Sequence, residues 1–192
     1  MPKVTLTKVR MAFPAIWSAE SVNGGAPKFG ARLIIEPGSE NAKKLDAAIA
    51  EAAKIKFKGK ADAVMKIISG DKMKMCYLKS DYANDEGDVY DGFEGMYHLS
   101  AKSDAQPTII DRDRTRLTEQ DGRPYSGCFV NAIVEVYGQD HKQHGKGMRC
   151  GLKGIQFHSD GDAFQGGAPA SADEFEDLTD GAHEDEDDSE FA

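Results

Sequence analysis

Residues 128–137 read CFVNAIVEVY, the cleanest alternation in the chain. Successive side chains of a strand point to opposite faces. Val130, Ala132, Val134 and Val136 therefore form one apolar face, with Cys128 in phase, while Phe129, Asn131, Ile133, Glu135 and Tyr137 form a mixed one. A slip of one residue would bury Glu135 and expose the valines, so the register is strongly specified. One face must be covered by a core. The other carries rings and polar groups and is free to meet a ligand.

Similar segments lie on both sides. Residues 3–13 place Val4 and Leu6 on one face and then change phase to Val9, Met11 and Phe13, a shift that requires a bulge. The run KFGARLIIEP puts Phe29, Ala31, Leu33 and Ile35 on one side and Lys28, Arg32 and Ile34 on the other, and Pro37-Gly38 end it. Ser39 is a helix N-cap, because Ala42, Leu45, Ala48, Ile49, Ala52 and Ala53 recur at helical spacing to about Ile55. A second short helix is expected over residues 61–68. From Met73 onward short strands return: KMCYLK, then a loop over residues 80–95, then MYHLSAKS, PTIID and, after the central strand, MRCGLKGIQF. Short strands, an inserted helical segment and long loops predict a mainly β protein, a β-barrel of the OB-fold type with one or two inserted α-helices.

Charge divides the chain in two. All 24 Lys and Arg precede residue 160, and residues 160–192 hold thirteen Asp or Glu and no Lys or Arg. Residues 1–159, with 24 cations against 20 carboxylates, carry +4 and read as one OB-fold domain, whereas residues 160–192 carry −13 and read as a disordered acidic tail that cannot bury enough apolar surface to fold. A mildly basic body joined to a polyanion fits a protein whose ligand is itself a polyanion, for which the tail competes. The start MPKVTLTKVRMAF lacks the apolar run of a signal peptide, and no stretch approaches the roughly 18 apolar residues that span a bilayer. Cys76, Cys128 and Cys150 form no CxxC pair and suit a reducing compartment. A cytoplasmic protein without a membrane partner is expected.

The elements Tyr125-Ser126-Gly127-Cys128-Phe129-Val130, Cys150-Gly151-Leu152-Lys153, Asp160-Gly161, Gly166-Gly167 and Asp173-Glu174-Phe175 occur in that order. Upstream stand Gly24-Gly25-Ala26-Pro27-Lys28-Phe29, Ala101-Lys102-Ser103, Pro107 and Ile109-Ile110-Asp111. As a set these resemble a phage-encoded family of OB-fold single-stranded-DNA-binding proteins, first described only as a domain of unknown function. The resemblance implies a protein that coats single-stranded DNA with little sequence preference during phage DNA replication, recombination or repair, in the host cytoplasm. It also implies that the acidic tail contacts replication or recombination proteins, with Phe191 as the partner-binding residue. Tails of this kind are similar, but here the aromatic is penultimate, since the chain ends Phe191-Ala192.

Single strands are held by cations along the phosphates and by rings on which bases stack, at about 1–3 kcal/mol per base. On or beside the strands of the expected barrel, Arg32, Lys102, Arg123 and Arg149 are the candidate phosphate contacts, and Tyr77, Tyr125, Phe129 and Tyr137 the candidate stacking rings. About five neutralised phosphates would give a log-affinity against log-salt slope near −3.5.

Other chemistries find less support. Cys128, His141, His144 and Cys150 include zinc-type ligands, but the spacing is poor and Cys128 shares the phase of the buried face. The loop with Asp81, Asp85, Glu86, Asp88 and Asp91 misses the spacing of a calcium loop and reads as a solvated turn. Asp111, Asp113, Glu119 and Asp121 suggest a metal-dependent nuclease, but Arg112, Arg114 and Arg116 are interleaved with them, as in a loop that tracks phosphate. No GxxxxGK[ST], GxSxG or HExxH motif occurs, so neither a catalytic residue nor a cofactor is expected. A DNA-mimicking inhibitor or adaptor is the rival that the polyanionic tail itself raises.

Overall fold

The computed structural model describes residues 1–22 and 24–164. The elements are β1 (Lys3–Glu20), β2 (Lys28–Ile35), α1 (Glu40–Phe57), α2 (Ala61–Ile68), β3 (Tyr77–Leu78), β4 (Tyr97–Ser103), β5 (Thr108–Ile110), β6 (Phe129–His141) and β7 (Gly145–Ser159). Strand order is β3-β4-β2-β1-β6-β7-β5, and a parallel pairing of β4 with β7, Lys102 against Gly151, closes β1, β2, β4, β7 and β6 into a five-stranded barrel. The mainly β barrel with two inserted helices is the one the alternation predicted. The tail beyond residue 164, with Phe191, lies outside the described residues.

Val130, Ala132, Val134 and Val136 of β6 are fully buried, whereas Ile133 and Tyr137 on the opposite face are exposed. At about 1.5–3 kcal/mol for each large apolar side chain, this alternation fixes β6 in the barrel wall. Leu6, Met11, Ile16, Leu33, Ile35, Leu99, Leu152 and Ile155 complete the interior. The Ala-rich stripe of α1 packs chiefly against β6 and joins the same core. Ser39 Oγ accepts the N–H of Ala42 at 3.2 Å, the capping contact expected from the sequence.

Two details depart from the expectation. Strand β1 does not stop at Phe13 but runs to Glu20, through register shifts between Leu6 and Val9, between Ala12 and Ala15 and between Ala15 and Glu20. At the first shift the freed backbone is satisfied by two asparagines: Lys8 N–H donates to Asn131 Oδ1 at 2.9 Å, and Thr7 N–H to Asn41 Oδ1 at 3.0 Å. The KMCYLK segment yields only the two-residue β3 and a bridge from Met75 to Met148, because Met75, Cys76, Tyr77 and Leu78 are all enclosed and leave no alternating faces.

Outside the barrel a second cluster forms. Phe93 is fully buried against Ala12 and Ile34, with Tyr82, Val89, Tyr90, Met96 and Phe164 packed around it. The loop between β3 and β4 thus folds over the outer face of β1 and β2.

Candidate nucleic-acid interface

Barrel closure gathers cations that are far apart in sequence. Arg32 on β2 faces Ser100 on β4, Gly30 faces Lys102, and Lys102 meets Gly151 on β7 across the seam. Lys102 is thereby flanked by two positions without side chains. A Cβ on Gly30 would lie 2.8 Å from the Ala101 carbonyl, so that approach requires glycine. Burial, then the neighbouring charges of Arg32, Lys28 and Arg149, hold the Lys102 ammonium below its ordinary pKa. Mutual repulsion of this kind marks a surface suited to an anion. Lys28 has an exposed ion pair to Asp104 at 2.8 Å; among the described residues no carboxylate is in an ion pair with Arg32, Lys102 or Arg149.

Each arginine is fixed. Arg149 Nη1 donates to the Lys74 carbonyl at 2.9 Å, and Nη2 to that of Met73 at 3.2 Å. Tyr137 stands directly across from it on β6, on the exposed face. The Arg32 guanidinium lies 3.7 Å from the Tyr82 ring centroid, and its Nη1 donates to His98 Nδ1 at 2.8 Å. An arginine can only donate, so His98 accepts through an unprotonated Nδ1. Burial, and then Arg32, push the His98 pKa down to about 4 and keep the ring neutral.

Arg32 leads to a group of rings. Tyr82 and Tyr90 stack at 5.0 Å, and Phe13 meets Tyr90 edge-on at 5.1 Å and Tyr82 at 5.9 Å. Phe13 is 51% exposed and has φ +49°. A bulky residue in that region is uncommon, and such strain concentrates at ligand sites. The sequence reading put Phe13 on a buried phase. The missed signal is Pro14, which follows it at the register shift and accompanies its turn out of the strand.

The sequence-predicted residues separate into three groups. Arg32, Lys102, Arg149 and Tyr137 lie along the β2–β4–β7–β6 outer face. Phe129 is also on an outer face, at β1, half-buried, with Lys8 Nζ at 5.8 Å and the Arg10 guanidinium at 5.9 Å from its ring. Tyr77 is corrected, and Tyr125 and Arg123 are engaged within the protein. Tyr77 is 3% exposed, so no base can reach its ring; burial pushes its phenol up, and its hydroxyl has no partner among the described residues. Tyr125 is a latch, its hydroxyl donating to Asp160 Oδ1 at 2.8 Å. Arg123 is paired with Asp111 at 2.5 Å, on a side chain that remains partly exposed. Arg10 escaped the sequence reading altogether.

The remaining chemistry is structural. Cys128 is fully buried and its thiol is pushed up to about 11, mainly by burial, while Cys150 is hydrogen-bonded to Cys76. Among the described residues no three His, Cys, Asp or Glu side chains are grouped to hold a metal ion. Nor is any helix among them long and apolar enough to cross a membrane. Positive charge also extends past Arg149: residues 54–74 hold seven lysines and two aspartates, a net +5 that exceeds the +4 of residues 1–159 as a whole.

The family described as Enterobacter phage Enc34, ssDNA-binding protein, matches residues 2–190. Protein p50 of Acyrthosiphon pisum secondary endosymbiont phage 1 is 39% identical over 180 residues, covering 92% of this chain and 94% of that protein. The single-stranded-DNA-binding protein of bacteriophage Enc34, solved in complex with ssDNA, is similar with a TM-score of 0.68 at 20% identity, over 84% of this chain and 89% of that one. The single-stranded DNA binding protein gp2.5 encoded by bacteriophage T7 is similar with a TM-score of 0.54 at 12% identity, over 100% of this chain and 98% of that one. At these identities both structures speak for the barrel fold.

Proposed function

The chain belongs to the family of the phage Enc34 single-stranded-DNA-binding protein, and from that premise we propose that it binds single-stranded DNA without sequence preference in phage DNA replication, recombination or repair. The observation that carries the reading is the convergence of Lys28, Arg32, Lys102 and Arg149 on one barrel face beside exposed rings. The cations are arranged for phosphates, and Tyr137 and Phe13 offer exposed faces that any base can use, with Tyr82 and Tyr90 packed beneath Phe13. The family's description is one of DNA binding rather than of catalysis. In this reading residues 1–159 are the DNA-binding domain. Residues 160–192 are an acidic tail that competes for the groove and, through Phe191, recruits replication or recombination proteins in the host cytoplasm.

The test is titration of fluorescent oligo-dT and of a duplex, with and without magnesium or manganese. Retention of the single strand without cleavage, in preference to the duplex, supports the proposal. Shortening of the oligonucleotide would indicate a nuclease, and failure to retain it at low salt a DNA mimic that binds protein instead. Deleting residues 173–192, which hold eleven of the thirteen tail carboxylates, should tighten binding most at low salt, where an acidic competitor is least screened. Unchanged affinity would end the competition idea.

A further inference from the structure

After β7 the chain folds back, and residues 160–164 lie across the outer surface beside Gly127. We propose that the depression between Arg10 and Gly92 is a nucleobase site, filled in the free protein by the ring of Phe164. The proposal rests on the single-strand reading above and assigns one subsite within it.

The strap is held by the Tyr125–Asp160 hydrogen bond at its root, by main-chain contacts and by one ring. Arg10 Nη2 donates to the Asp162 carbonyl at 2.6 Å, its Nε donates to the Gly127 carbonyl at 2.9 Å, and Phe164 N–H donates to the Ser126 carbonyl at 3.1 Å. The Arg10 guanidinium lies 4.2 Å from the Phe164 ring centroid. Two glycines make room. A Cβ on Gly92, at φ +82°, would come within 2.6 Å of the ring, and one on Gly127, at φ +105°, would collide with the Asp162 carbonyl. A main-chain strap of any sequence could make the carbonyl contacts. Beyond Asp160 at the root, the ring is the sequence-specific part, and a flat π face on a guanidinium beside an aromatic cluster is what a base supplies equally well.

Position supports the same conclusion. Arg10 faces Ile34 on β2, and two residues further along β1 Ala12 faces Arg32, a step of roughly 7 Å along the strand, about one nucleotide of an extended backbone. Phe164 packs on the cluster that contains Tyr82 and Tyr90, so its site continues the platform beside Arg32. A cleft of about 250 Å³, lined by two cations, Lys8 and Arg10, against one carboxylate, Glu36, and by Met96 and Phe129 among others, opens next to it and leaves space for a sugar and phosphate.

The full-length Phe164→Ser variant should bind oligo-dT at least about fivefold more tightly, the low end of one stacked ring. That gain should persist at both low and high salt, because a ring competes by contact and not by charge. A second variant, Phe164→Trp, reports the displacement directly: saturating oligo-dT should shift its emission relative to the parent, which has only Trp17. Three results would each overturn the subsite: equal affinities for wild type and Phe164→Ser, a gain that vanishes at high salt, or an added indole emission in the Phe164→Trp variant that is indifferent to DNA. If no form retains oligo-dT, the single-strand reading itself falls. If wild type and variant retain it equally, only the subsite does.

Discussion

Replacing Lys102 by Gln removes one charge from the seam of the barrel while leaving its strand pairing with β2 and β7 intact. Four cations converge there, Lys28, Arg32, Lys102 and Arg149. The Lys28–Asp104 pair is exposed and weak enough to yield to a phosphate. At about −0.7 per contact, four phosphates give a log-affinity against log-salt slope near −2.8, so raising salt from about 50 to 200 mM should weaken binding by about fiftyfold. With Lys102→Gln the slope should fall to about −2.1 and the loss to about twentyfold. Arg123→Gln is the control. Its charge already serves Asp111, so the slope should stay at the wild-type value while thermal stability declines. The assay is anisotropy of labelled oligo-dT over a salt series for the three proteins. A flatter slope for Arg123→Gln together with an unchanged one for Lys102→Gln would refute the assignment of the phosphate path.

Other consequences follow from burial. Tyr77→Phe removes a buried hydroxyl that has no partner among the described residues, so chemical denaturation should show stability unchanged or raised by about 1 kcal/mol, and DNA affinity should not move. His98 has a folded pKa near 4 against about 6.5 when unfolded. The unfolded chain takes up that proton first, so the stability is complete above about pH 6.5 and lost towards pH 4, by of order 2–3 kcal/mol. Urea titrations at the two ends should show the loss, and His98→Asn should show less of it. Phe13→Ala and Tyr137→Ala should each weaken oligo-dT binding by about 1–3 kcal/mol in the same anisotropy assay, with little change in salt slope, because a lost stack removes no counterion release.

How far the sequence reached depended on whether a residue had a phase. Arg32, Lys102, Arg149 and Tyr137 sit on strands long enough to alternate, and the outward phase placed each on the surface. Tyr77 sits in a two-residue strand enclosed on all sides, where no alternation exists to consult. Arg123 and Tyr125 lie between β5 and β6, outside any strand, and their fates are set by Asp111 and Asp160, twelve and thirty-five residues away. Helices α1 and α2 were legible from a cap and an apolar stripe. The course of β1 beyond Phe13 was not, because three register shifts along the strand reset its phase. Arg10 was missed for another reason: its partners, Gly127, Asp162 and Phe164, come from the far end of the chain.

Those distant origins give the interface a property that its pH dependence can expose. Lys102 is held below its ordinary pKa by burial and by Arg32, Lys28 and Arg149, so between its folded pKa and the unfolded value of about 10.4 the unfolded chain binds more protons. Stability contributed by this site therefore rises as pH rises through that window. DNA reverses the sign. A phosphate beside Lys102 favours the ammonium and raises its pKa in the complex, so the complex binds more protons than free protein, and affinity must fall over the same window. Rising pH is thus expected to strengthen this group's contribution to the free barrel while weakening DNA binding at the same position. Comparing wild type with Lys102→Gln between about pH 7.5 and 10, by urea unfolding and by binding to oligo-dA, whose bases do not ionise there, isolates the contribution from those of the tyrosines. The difference between the two proteins should have opposite slopes in the two measurements. A binding difference that stays flat across this range would mean that Lys102 gains no phosphate, and that the strand of DNA passes elsewhere on the barrel.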